Sequence, residues 1–204
     1  MPDPSDESLI LAAGRGDPDA FRQLVERRQP AIGSFILRFL ATRDRNVAED
    51  LTQDVFLAAW RAARSFRPDR PVLTWLFRIA ANRCLNYRRD RRLREPPGEA
   101  AAPGGAAGPP EAGLGVEDSE RVRAAVARLP ANQRAAIVLR HFHAQSYAEI
   151  AEIMDVSISA VESLLFRARR ELQVDLAGEG NEAGRQRKQE SGPQVSPDSG
   201  VEHY

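Results

Sequence analysis

Apolar residues along this chain recur at spacings of three and four, and neither of its folded stretches alternates with period two. The pattern predicts an all-α protein. Asp17-Pro18 reads as an N-cap followed by proline at the first helical position. Phe21, Leu24 and Val25 then mark one face, and Pro30 predicts a break or kink. Ile32, Phe35, Ile36, Phe39 and Leu40 form a second run. A third helix, about 46–64, carries the stripe Val47, Leu51, Val55, Ala58 and Ala62. Residues 66–74, with two prolines, predict a loop, and a fourth helix follows from Trp75 to about Arg92. Leu76, Ile79, Ala80 and Leu85 are its expected inner face.

A second helical stretch opens near residue 119. Val122, Val126 and Leu129 mark a short helix, and Leu129-Pro130 separates it from another over about 131–143. Ser146-Tyr147-Ala148-Glu149 is a capping box. Ile150, Ala151 and Met154 are the inner positions of the helix it starts. Asp155-Val156 predicts a tight turn, and Ser157 or Ser159 can cap the next helix, over about 159–173. Helix, short turn, helix is the helix-turn-helix pattern. At ~100° per residue, Val161, Leu164, Leu165, Ala168 and Leu172 share one side of the last helix. Ser159, Ser163, Phe166 and Arg170 fall near the other side, flanked by Glu162 and Arg167.

Composition divides the chain. Residues 95–118 hold no base, five acids and no large apolar side chain before Leu114, so they should be a flexible acidic linker. Residues 178–204 are polar and Gly-rich and predict a disordered tail. Two domains remain, 1–94 and 119–177. The polar, acidic N-terminus is no signal peptide and no apolar run is long enough to cross a bilayer, so the expected location is cytoplasmic.

Charge adds what periodicity cannot. The chain's 29 bases cancel its 29 acids, yet residues 1–94 carry 18 Arg against 12 acids. Seven of those Arg, against the single acid Asp90, lie between Arg78 and Arg94, interleaved with Asn82, Asn86 and Tyr87 and preceded by Trp75 and Phe77. A helix of this kind attracts phosphate, and its aromatic and amide side chains can stack on bases or hydrogen-bond their edges. A solvated basic helix end, or a patch for an acidic protein, is the other reading. In the third helix Glu49, Asp50, Gln53 and Asp54 leave the stripe beside the i,i+4 pair Phe56 and Trp60; ordinary core and a solvated acidic face are one reading, a docking surface the other. Phe166, among Ser and Arg, either touches a base or thymine methyl or packs on the linker or first domain.

Catalytic and metal chemistry find no support. The glycines at 104–105 lack the Lys, Ser or Thr of a phosphate-cradling loop. His141 and His143, two apart on a helix, point ~200° from each other and cannot clamp one metal ion. Cys84, the single cysteine, reads as a small core residue with no second thiol to pair with. No cofactor, metal site or catalytic residue is expected.

Four stretches, in order, carry a family resemblance: AEDLTQDVFLAAWRAARSF (48–66), TWLFRIAANRCLNYRRDRR (74–92), LPANQRAAIVLRHF (129–142) and SYAEIAEIMDVSISAVESLLFRARREL (146–172). On these the chain resembles the small bacterial sigma factors of the extracytoplasmic-function type (group IV). The resemblance implies a region 2-like helical bundle and a region 4-like helix-turn-helix domain. It implies that core RNA polymerase binds Asp50, Leu51, Gln53, Asp54, Phe56 and Trp60. It implies that the −10 promoter element binds and melts on Arg67, Thr74, Trp75, Arg78, Asn82, Arg83 and Asn86. The −35 element would be read by Ser159, Glu162, Ser163, Phe166, Arg167 and Arg170. Promoter DNA, core polymerase and an anti-sigma factor are the implied partners, in a stress or envelope response. Members of the family often carry Thr, Lys or Arg, and Arg where this chain has Ala160, Glu162 and Leu164, which implies weaker or altered −35 binding. The two elements lie ~70 Å apart on duplex DNA, within reach of a 24-residue linker extended to ~80 Å. A DNA-binding regulator that works without polymerase, and an interaction protein that sequesters a partner, are the competing readings.

Overall fold

The computed structural model describes residues 3–42, 44–94 and 116–190. Every regular element among them is helical: α1 (Asp6–Gly14), α2 (Pro18–Leu40), α3 (Arg45–Ala62), a 3-10 turn (Ala63–Ser65), α4 (Val72–Arg94), α5 (Val116–Arg128), α6 (Ala131–Phe142), α7 (Tyr147–Met154) and α8 (Ile158–Glu190).

Local chemistry sets most boundaries. Ser5 caps α1, its Oγ accepting from the Ser8 amide at 3.2 Å, and Leu9, Ile10 and Ala13 are buried. This helix, not expected from the sequence, buries an apolar face only three residues wide. Gly16, at φ +97°, turns the chain into α2 in the left-handed region that glycine enters freely. Asp17 caps α2 as expected, accepting from the Asp19 and Ala20 amides at 3.0 and 3.1 Å. Asp44 caps α3 through the Asn46 amide at 3.0 Å.

Pro30 does not end α2, contrary to expectation. One register runs through it: Ala20 and Leu24 before it and Ile32, Phe35, Ile36 and Phe39 after it are all buried, while Pro30 itself is exposed. The hydrogen bond that proline removes lies on the solvent side, where water can serve the free carbonyl, and the continuous apolar face outweighs its loss.

The inner faces of α3 and α4 are turned slightly from the expected ones. α3 buries Ala48, Leu51, Thr52, Val55, Phe56 and Ala59; Thr52 is accommodated by donating its hydroxyl to the Ala48 carbonyl at 2.6 Å. α4 starts at Val72, directly after Pro71, and buries Leu76, Phe77, Ala80, Ala81 and Cys84.

In the second unit the capping box forms: the Ser146 amide donates to Glu149 Oε2 at 2.7 Å and the Glu149 amide donates to Ser146 Oγ at 3.2 Å. Asp155, left-handed at φ 57°, closes the turn, and the Val156 amide donates to the Ala151 carbonyl at 3.0 Å. Ile153 is the buried third member of the α7 face, with Met154 half-buried. Ser157 caps α8 through the Ala160 amide at 3.2 Å. α8 runs on to Glu190, well past the expected end near residue 173, so residues 178–190 are helical rather than disordered tail. Arg128 pairs with Asp175 at 2.9 Å, and Arg121 donates to the Leu176 carbonyl at 3.2 Å, tying α5 to this extension. The expected linker falls outside the described residues, except 116–118, which open α5, and so do residues 191–204.

The two units pack into one body. α2 lies against α6 and α4 against α7, and their buried side chains form one continuous cluster.

Candidate nucleic-acid interface

The helix-turn-helix holds α8 with one side in the core and the other in solvent. Val161, Leu165 and Ala168 are buried; Ser159, Glu162, Ser163, Phe166, Arg167 and Arg170 are all exposed. Phe166 is 67% exposed, so among the described residues neither the first unit nor another helix covers it. Ser163 donates its hydroxyl to the Ser159 carbonyl at 3.0 Å, and Arg167 Nε donates to the Ser163 carbonyl at 3.3 Å. Those bonds hold the Ser and Arg side chains against the helix and leave the Phe166 ring proud of them. Leu164 is half-buried and joins the inner stripe. His141, exposed near Arg169 and Arg140, has its pKa lowered by desolvation and by both guanidinium groups.

α4 presents the second surface. Trp75, Arg78, Asn82 and Asn86 fall within ~80° of one another around the helix, with Arg83 alongside. Asn82, Arg83 and Asn86 are exposed, Trp75 and Arg78 half-buried, and Arg67 is exposed on the preceding loop. The Trp75 ring is held edge-on by Phe66, at 5.3 Å between centroids. Thr74 departs from the expected set: it is 1% exposed, because it lies on the core side of the first turn. Phe77, expected among the aromatics interleaved with Arg, is fully buried and packs on Phe35 at 5.5 Å.

α3 offers a third face. Asp50, Gln53 and Asp54 are exposed, and Trp60 is 37% exposed, its ring against Phe21 at 5.0 Å. Leu51 and Phe56 turn inward, at 8% and 6% exposed, so Phe56 is core, supporting Trp60 from below through Phe21. Leu57, 53% exposed, completes this face and was missed from the sequence. Its signal was a large apolar residue in register with Gln53 and Trp60 and off the buried stripe.

Cys84 is fully buried, and desolvation pushes its thiol up to about 12, which removes the reactive thiolate. Among the described residues no group of His, Cys, Asp or Glu could hold a metal ion, and no helix is long and apolar enough to cross a membrane.

The two helical units present two outer faces, an aromatic-basic one on the helix-turn-helix and an Arg, Asn and Trp one on α4. Sigma-70 region 2 matches residues 24–94 and sigma-70 region 4 matches 119–172. The ECF RNA polymerase sigma-E factor of Escherichia coli K12 is 36% identical over 176 residues, 81% of this chain and 91% of that protein. The RNA polymerase sigma-H factor of Pseudomonas aeruginosa is 34% identical over 182 residues, 84% and 93% of the two chains. CnrH, solved with the cytosolic domain of CnrY, superposes with a TM-score of 0.64 at 31% identity, over 85% of this chain and 97% of that one. Bartonella quintana RpoE, solved with the anti-sigma factor NepR, superposes with a TM-score of 0.65 at 30% identity, over 77% and 96%. The chain belongs to the extracytoplasmic-function sigma factors, which are initiation factors rather than enzymes.

Proposed function

We propose that the chain recruits core RNA polymerase to promoters through three separate helical faces, one for polymerase and two for DNA. The α8 face carries the reading furthest, because a phenylalanine left 67% exposed among Ser and Arg, opposite the buried stripe of a helix-turn-helix, is suited to a contact that covers it. In the major groove it would meet a thymine methyl or a base edge, with Arg167 and Arg170 placed for phosphate or guanine. Glu162, exposed on the same side, repels phosphate and can accept from a cytosine amino group, so it would redirect −35 recognition rather than only weaken it.

On α4, Asn82, Arg83 and Asn86 would hold the unpaired −10 strand, with Arg78 and Trp75 at its upstream end and Arg67 on the loop above. Extruding a base costs a few kcal/mol, which charge and stacking along this face would offset. The burial of Thr74 and Phe77 limits them to supporting that surface. On α3, Asp50, Gln53, Asp54, Leu57 and Trp60 would dock on polymerase, an apolar centre with an acidic rim.

An anti-sigma factor is the expected regulator, as for Bartonella quintana RpoE, solved with the anti-sigma factor NepR. The reading places the protein in the cytoplasm, in a stress or envelope response. Retention by purified core polymerase, followed by run-off transcription on candidate promoters, tests it. A DNA-binding regulator that works alone would not be retained.

A further inference from the structure

α1 lies outside the segment matched to sigma-70 region 2, residues 24–94, yet it is pinned at both ends. Asp6, 6% exposed, accepts from Arg27 Nη1 at 3.0 Å and from Arg28 Nε. Arg27 also donates to the Pro4 carbonyl at 2.8 Å and to Asp3 at 2.9 Å. At the far end Gly14, with no Cβ, lets the helix lie on the Ala63 carbonyl of the 3-10 turn. The residue after Asp6 serves a different helix. The Val72 amide, first in α4, donates to Glu7 Oε1 at 3.5 Å, across 65 residues of chain. That amide has little local help. Pro71 before it has no side-chain acceptor, and the first turn of α4 holds no acidic residue. Val72 is 1% exposed, so little water reaches its backbone. A second contact converges on the same turn: Phe66, at the end of the 3-10 turn beneath α1, holds the Trp75 ring edge-on.

We propose that Glu7 is a positioning residue for promoter opening: its carboxylate caps α4 from a neighbouring helix and fixes the first turn that carries Trp75 and leads to Arg78. The consequence for DNA rests on the −10 reading of α4 given above. Glu7 acts through the helix and touches no base. Without the cap the first turn frays, and Trp75, one turn in, loses its fixed orientation. Asn82, Arg83 and Asn86 lie well inside the helix and keep theirs. The polymerase face of α3 and the −35 face of α8 are on other helices. The loss should therefore fall on opening and spare the other two contacts. The buried Asp6 clamp explains how α1 can serve as a brace, because it holds the preceding residue still against α2.

Two measurements test this. The first follows opening by the holoenzyme of the full chain, read from 2-aminopurine in the −10 strand of a promoter that gives run-off product. Glu7→Ala should slow opening ~5-fold, the factor a lost helix cap carries, with retention by core polymerase and −35 duplex affinity within ~2-fold of the unaltered chain. Glu7→Gln keeps an oxygen in place and should recover part of the rate. Pro71→Ser gives α4 a cap of its own and should restore opening to Glu7→Ala. Unchanged or faster opening in Glu7→Ala overturns the proposal, and faster opening would mean that Glu7 acts by repelling the strand. Equal losses of opening, polymerase retention and −35 binding overturn it too, as does failure of both Glu7→Gln and Pro71→Ser to recover any rate. The second measurement needs no DNA. Hydrogen exchange at the Val72 amide should accelerate at least ~5-fold in Glu7→Ala, and an unchanged rate overturns the cap. If the unaltered holoenzyme opens no promoter, the −10 reading falls and the role in opening with it, while the exchange rate still reports whether Glu7 caps α4.

Discussion

Arg134, on α6, donates from Nη1 to the backbone carbonyl of Phe39 on α2, 3.0 Å away and across the junction between the two helical units. The same guanidinium donates to the carbonyls of Leu129, at 2.9 Å, and Ala127. At 2% exposed, Arg134 is a buried cation neutralised by carbonyl dipoles that terminate two helices.

Removing that cation strands the three carbonyls. Arg134→Met keeps most of the volume and no donor, so the protein should lose about 2–3 kcal/mol in a denaturant titration. Arg134→Lys offers one compact charge in place of a planar fork and should recover only part of the loss.

His143 predicts an acid sensitivity. Desolvation, and then the positive charge of Arg38, lower its pKa from 6.5 to about 4. Between those values the unfolded chain binds a proton that the folded chain refuses, so stability falls as pH drops from 6.5 towards 4. His143→Gln should flatten that part of the profile of Tm against pH. An unchanged slope would mean that His143 is not held neutral at the junction.

Gly14 sits against the 3-10 turn. A Cβ there would lie 2.8 Å from the Ala63 carbonyl oxygen, a backbone atom that cannot swing aside. Gly14→Ala should therefore destabilise the first unit by about 1–3 kcal/mol, despite the better helix propensity of alanine. Thermal melts of the purified variant decide this.

The α8 face separates binding from stability. Phe166→Ala should leave Tm within a degree or two, because the ring touches little, yet cost about 1–3 kcal/mol against a −35 duplex. Glu162→Lys should strengthen binding to any duplex and steepen its salt dependence by about one phosphate contact. Fluorescence anisotropy over a salt series reads both.

What the sequence disclosed follows from how local each signal is. Asp17-Pro18, the Ser146–Glu149 box and the Asp155 turn act within four residues, and each forms where their chemistry places it. The outward face of α8 was legible because Val161, Leu165 and Ala168 fix the inner stripe and everything opposite must be exposed. Faces decided by distant partners were harder to read. Phe77 and Thr74 looked available until α2 and α3 closed over that side of α4, and Pro30 looked like a stop because its in-phase neighbours take effect only when the core forms. The contact between the units was not legible, since neither Arg134–Phe39 nor Arg78–Asp155 leaves a trace in periodicity.

The central claim is that this chain acts only with a borrowed catalytic machine. Run-off transcription with purified core RNA polymerase tests it most directly. The full chain should direct a discrete transcript from a subset of candidate promoters, and Arg83→Ala should lose opening while keeping polymerase. A chain that polymerase does not retain, and that still alters expression by binding DNA alone, would contradict the account.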